Sequence, residues 1–251
     1  MAFLKKEFLG ILKTYRIWVI PAIFLFFGLM SPPIAKLAPE IVKSALPKGV
    51  NLQIPPPTIL DSFGQYLKNL AQLGILAVIL LSMSLVSEEK SKGTLQLVIT
   101  KPVSRTTVVV SKFIAQNILI LSSMIVAAAV CYLYSIAIFR DGKLVEFAQA
   151  NLLFIVYFLL IITIAIFFST ILSNQVAAGG LSIIAFAILS ILPILHRFFD
   201  KYSPAALTGI ANKIVLGQAT ISQAGWPMIA SLILVAILLF LGIFIFNRQE
   251  L

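Results

Sequence analysis

Charge divides this chain into long silent stretches and short dense clusters. No Asp, Glu, Lys or Arg occurs in the fifty residues 147–196, nor in 17–31, 69–87, 113–139 and 214–247. About 20 apolar residues cross the hydrocarbon core of a bilayer as a helix. The fifty-residue run is too long for one span and reads as two, joined by the polar turn Ser173-Asn174-Gln175. The pattern predicts six spans, at 17–31, 66–87, 108–139, 147–172, 176–195 and 226–246. Backbone polar groups in lipid are satisfied within their own segment, so long apolar runs mean helices. A membrane barrel would instead show short segments of alternating polarity. The expected fold class is therefore all-α: a polytopic membrane protein with six transmembrane helices, forming a single domain over 1–251.

The segments between the spans carry their own patterns. In 1–16, Leu4, Phe8, Ile11, Leu12 and Tyr15 share one helical face, and Lys5, Lys6, Lys13 and Arg16 lie opposite. That suits an amphipathic helix in the interface, with its cations near headgroups. An ordinary basic flank is the plainer reading. The segment 32–65 is rich in proline (Pro32, Pro33, Pro39, Pro47, Pro55, Pro56, Pro57), which opposes regular ladders. It is expected as a loop, with an extension of the first span to Leu37 and a helix around 34–46 as variants. The loop at 196–225 holds a further helix candidate at 205–216. The densest charge cluster is 87–94, Ser-Glu-Glu-Lys-Ser-Lys-Gly-Thr, at the head of the loop 88–107.

Composition narrows the class. The chain is 60% hydrophobic and 11% charged, with mean hydropathy +1.06, against roughly 25% charged residues in soluble domains. Six spans leave no room for a separate soluble domain, so a nucleotide-hydrolysing domain is expected on another chain. The net charge of +10 suits anionic headgroups. Its cations are scattered through several loops, which argues against nucleic acid as a partner. The single Cys131 excludes an internal disulfide. The first apolar run ends in Pro-Pro, unlike a cleaved signal. Six spans put both termini on one side, and four cations in the first 16 residues favour the cytoplasm for that side.

Catalytic chemistry has little to work with. There is one His and one Cys, and no constellation for acid–base or metal work. An ion-coupled transporter needs a carboxylate or broken helix within the membrane, and no span contains an acidic residue. A transporter of this composition takes its energy from a partner. The chain lacks a Gly-x-x-x-x-Gly-Lys-Ser/Thr loop and so should bind no ATP itself.

The loop between the second and third spans offers a mechanical element. Gly93 frees the chain to turn. Thr94 to Thr100 can form two helical turns with Leu95, Val98 and Ile99 on one face. Pro102 ends them, and Lys101 sits near the C-terminal end, where a cation is favoured. A short helix with an exposed apolar face either packs on lipid or is received by a partner. The run 87–105 (SEEKSKGTLQLVITKPVSR), followed by Lys112 entering the next span, resembles the signature of type-2 ATP-binding-cassette (ABC) export permeases. The ending Phe246-Asn247-Arg248-Gln249-Glu250-Leu251 is similar to that family's Phe-x-Arg-Arg-Asp-Leu, imperfectly.

The resemblance implies a permease subunit that is not itself an enzyme. It implies two cytoplasmic ABC ATPase subunits that bind ATP and Mg, and a second permease, as a homodimer or a sister chain. Gly93, Thr94, Leu95, Val98, Ile99 and Pro102 would form the coupling helix. Glu88, Glu89 and Arg105 would act in gating or at an interface, with Glu88 the counterpart of the family's acidic residue. Lys5, Phe8, Leu12 and Arg16 would belong to the interfacial helix. The expected function is ATP-driven export of a lipid-like, drug-like or peptide substrate across the cell membrane. The alternative is a membrane-embedded scaffold or lipid-processing enzyme without transport activity.

Overall fold

The computed structural model describes residues 2–45, 55–94, 104–195 and 197–249. Six helices are long and apolar enough to cross a membrane, and no strand occurs among the described residues. A short helix α1 (Ala2–Leu12) precedes the first span, α2 (Arg16–Ala45). The second span is composite: α3 (Ile59–Asn69), one π turn (Leu70–Gly74) and α4 (Ile75–Ser82). After a break comes the short α5 (Ser87–Ser91). The third, fourth and fifth spans are α6 (Arg105–Phe139), α7 (Leu144–Ile171) and α8 (Gln175–Leu195). Then follow α9 (Arg197–Tyr202), α10 (Ala206–Val215), a 3-10 turn (Ile221–Ala224) and the sixth span, α11 (Gly225–Arg248).

Three boundaries differ from the sequence reading. The first span does not end at Ser31, and 32–45 is not loop: α2 continues through Pro32, Pro33 and Pro39. Each proline removes one backbone donor and crowds the preceding turn, but neighbouring helices and hydroxyl side chains can re-satisfy such a helix inside a membrane. Just before the Pro-Pro pair, Ser31 donates to the Phe27 carbonyl (2.6 Å) and accepts from Asn69 (3.1 Å), which ties this turn to the second span. Ala35, beyond the Pro-Pro pair, is buried. The second span likewise starts at Ile59, not Tyr66. Asp61, which reads as a loop charge, closes a capping box instead, accepting from the Thr58 backbone N–H (2.7 Å) and hydroxyl (2.9 Å). Such a box satisfies donors that a helix start leaves unpaired.

The second span, expected to Ser87, breaks off at Ser82; the remaining ends fall within three residues of expectation and have local causes. The third span stops at Arg140, whose φ of 56° is left-handed, a common helix terminator. The turn at 172–174 starts the fifth span with Asn174, whose side-chain oxygen accepts from Val176 (2.8 Å) and Ala177 (3.3 Å) backbone N–H groups. The helix expected at 205–216 is α10.

The fourth span lies at the centre. Phe158 is fully buried, edge-on to Phe24 of the first span (5.7 Å), and a Cβ at Gly74 would meet its ring at 3.3 Å. Phe147 stacks on Phe63 (4.2 Å) and Tyr132 (6.0 Å), joining the second, third and fourth spans. The first and third spans cross so closely that a Cβ at Gly28 would lie 2.5 Å from the Ala127 carbonyl oxygen. This packing brings α1, α5, the turn at 172–174 and residues 246–249 to one end of the bundle.

Candidate functional site

At that end the second span is broken, and the break creates the site. α4 stops at Ser82 and α5 restarts at Ser87. The restart leaves backbone donors without helical partners. No local side chain caps them. The Ser169 hydroxyl of the fourth span accepts from both Val86 and Ser87 N–H groups, each at 3.0 Å. α5 is thereby fastened to the end of the fourth span. It stops at Gly93, whose φ of +66° is left-handed, as the sequence led us to expect of a residue that turns the chain. Thr94 follows, its hydroxyl donating to the Glu89 carbonyl at 3.3 Å.

Glu88 and Glu89 leave α5 in different directions and meet different partners. Glu89 accepts from Lys112 at 2.7 Å, and Lys112 also reaches Glu7 of α1 at 3.2 Å. The Lys112 side chain is only 4% exposed. Taking a cation out of water costs several kcal/mol unless it is paired, and two carboxylates from two helices supply that pairing. Glu88 is on the open side. It pairs with Lys92 at 2.7 Å, one turn along, and with Arg16 at 3.6 Å. Arg16 begins the first span and donates to the Ser84 hydroxyl at 2.6 Å. It had been expected among the headgroup-facing cations of the interfacial helix, but its guanidinium turns inward across the break. Glu7, Arg16, Glu88, Glu89, Lys92 and Lys112 line a cleft of about 290 Å³. Three acids and three bases balance there, and they pair with one another across the cleft.

A second cluster lies beside the first. Lys90 donates to the Thr170 carbonyl and to the Gln249 side-chain oxygen, and sits over the Phe246 ring at 5.2 Å. Gln249 returns a donor to the Ile171 carbonyl at 3.2 Å. Arg105, at the start of the third span, donates through Nη1 to the carbonyls of Phe246 (3.0 Å), Asn247 (3.3 Å) and Gln249 (2.6 Å). Carbonyls at a helix end lack intrahelical partners and carry partial negative charge, so cations are favoured there. Lys90 and Arg105 serve the ends of the fourth and sixth spans.

The expected site residues thus fall into three groups. Gly93, Thr94, Glu88, Glu89 and Arg105 gather at the broken end of the second span. Leu95, Val98, Ile99 and Pro102, with the coupling helix expected there, lie outside the described residues. Lys5, Phe8 and Leu12 lie on α1, which packs along the third span. Sequence reasoning missed Glu7, Lys90, Ser169 and Gln249. One signal was available: Glu7 is the only acid in the first 16 residues, and Lys112 is the one cation in the body of the third span. Among the described residues no group of His, Cys, Asp and Glu could hold a metal. The site joins α1, α5 and the ends of the first, third, fourth and sixth spans.

Comparison with known proteins agrees. The family profile described as ABC-2 family transporter protein matches residues 1–251. The chain is also 26% identical, over its full length and 98% of the relative, to the "Uncharacterized transmembrane protein YxlG" of Bacillus subtilis (strain 168). This chain belongs to the ABC-2 transporter family, as a multi-pass transmembrane permease subunit that works with ABC ATPase subunits.

Proposed function

We propose that this ABC-2 permease exports a lipid-like, drug-like or peptide substrate, driven by two cytoplasmic ATPase subunits acting on the segment 94–104. The observation that carries the reading is the convergence on the two roots of that segment. Glu88 and Glu89 at one root are paired to the first span through Arg16 and to α1 and the third span through Lys112. A push on the segment is therefore delivered to three helices at once. ATP and Mg are held by the partner subunits, and this chain supplies no catalytic group. A second permease, identical or sister, completes the path. The protein resides in the cell membrane with its termini and the 88–107 loop in the cytoplasm. The four cations of residues 1–16 support that orientation, and the charged clusters lie at the same end as both termini.

The test is to replace Leu95 and Val98 together by Asp. Charge in a desolvated groove costs several kcal/mol unless paired. Co-purification of the ATPase, or its stimulation by the permease, should be lost, while membrane insertion and permease pairing persist. A well-inserted double variant that still binds and stimulates its ATPase would refute coupling through this segment.

A further inference from the structure

The two roots of the segment 94–104 share one partner that the first cluster does not include: the C-terminal end of the sixth span. Lys90 lies before the segment and Arg105 after it. Both hold residues 246–249, Lys90 through the Gln249 side chain and the Phe246 ring, Arg105 through three backbone carbonyls. Gln249 also bonds the last carbonyl of the fourth span, while Lys90 bonds the one before it. Phe246 itself is fully buried. These residues form a strap that crosses from one root to the other and is riveted to the fourth span on the way.

We infer that Lys90, Arg105 and Gln249 are positioning residues for transport: they make the end of the sixth span move with the segment that receives the ATPase. The chemistry favours a firm tie. Carbonyls at the end of a helix have no intrahelical donors, and here the donors are cations, whose hydrogen bonds are roughly twice as strong as neutral ones. A displaced root would leave those carbonyls bare at the edge of the hydrocarbon. The sixth-span end therefore follows the segment instead of letting go. Without the strap the pairs to the first span, α1 and the third span and the Ser169 contact with the fourth remain, and the sixth span loses its tie to either root. The inference rests on the coupling reading above and adds a second output to it, the sixth span.

The experiment uses the full-length permease in complex with its ATPase in lipid nanodiscs. Spin labels on the exposed Val176 and Phe244 report the sixth-span end. Labels on Val176 and the exposed Leu80 report the second span. Labelled chain is diluted with unlabelled chain, and distances are compared without nucleotide and with ATP plus vanadate. In the parent protein both distances should shift. Gln249→Ala removes only the side-chain tie, so it should reduce the 176–244 shift and keep the 176–80 shift. Gln249→Glu, which keeps an acceptor for Lys90, should retain both. Gln249 is an end residue, and its replacement leaves every span intact. Arg105→Gln breaks the tie from the other root and should reduce the shift likewise, and the double variant should abolish it. A 176–244 shift that survives the double variant overturns the inference. So does a parent protein in which only the second span moves, an outcome that leaves the coupling reading standing. A parent protein in which neither distance moves overturns both.

Discussion

The fourth and fifth spans are neighbours in sequence, separated by a three-residue turn, and both are free of charge over their apolar runs. In the fold they are opposites. Of the apolar window of the fourth span 72% is buried, against 17% for the fifth. In water such a difference would be written in the sequence, since a surface helix needs a polar face. In lipid it is not, because hydrocarbon tails are as apolar as leucine. What separates the two is fastening. The fourth span is packed on all the other spans and on α10 and closed at its end by Ser169, Lys90 and Gln249. The fifth shows Ile184, Ile188 and Ile191 outward, and its start is capped by its own Asn174. Apolar helices sort to the centre here through shape and terminal hydrogen bonds, not through hydrophobicity.

Three substitution pairs sharpen or break that contrast, read as thermal unfolding of the protein in mild detergent. The largest effect is expected from Phe158→Ala in the fourth span. It removes a fully buried ring from between Phe24 and Gly74, and large-to-small core changes of this type cost about 3–5 kcal/mol. The outward Phe240→Ala, on the sixth span, should stay within about 0.5 kcal/mol. Equal losses would show that burial is not what distinguishes the spans. The next effect is Ser169→Ala. It strands the Val86 and Ser87 N–H groups, and an unsatisfied buried donor costs about 1–3 kcal/mol. Ser190→Ala, on the fifth span, removes an exposed hydroxyl that donates to its own helix at Phe186 and meets the buried Tyr157 of the fourth; it should cost less, about 0.5–1 kcal/mol. The smallest effect is Gly180→Ala. A Cβ there meets nothing within 4 Å, so the change should be within about 0.5 kcal/mol. Gly28→Ala, which must push on the Ala127 carbonyl, should cost about 1–3 kcal/mol, as overpacking does. A large loss at Gly180 would mean that the fifth span's outward face is covered after all.

Much of the fold was legible because the bilayer writes it in charge-free length. Six spans, the turn at 173–175 and the helix at 206–215 all follow from where charge and proline are absent. The first span's full extension did not, since Pro32 and Pro33 read as a stop and the contact that holds this turn against the second span, Ser31 with Asn69, is long-range. The site was legible as a segment and not as a network. Glu88 and Glu89 are alike to any local reading. Only the fold shows that Glu89 faces the buried Lys112 while Glu88 stays on the open side. Ser169 and Gln249 look like ordinary polar flanks. Their roles depend on a helix break about eighty residues before the one and about one hundred and sixty before the other.

The π turn at Leu70–Gly74 bears on how this chain tolerates changes of length. The second span buries Ile59, Phe63, Tyr66 and Leu67 before the turn and Ile75, Val78, Ile79 and Ser82 after it. At about 3.6 residues per turn, an unbroken helix from Ile59 to Ser82 would swing that stripe roughly 0.4 turn away from its neighbours. One wide turn absorbs most of the swing. It has the geometry of a single-residue insertion accommodated where it occurred, with Gly74 leaving room under Phe158. Within 70–74, losing one residue would give a regular helix with both buried stripes still in phase. Lost anywhere else in the span, the same residue would turn half of its packed face toward lipid. Length variation among related chains should therefore collect at this one turn.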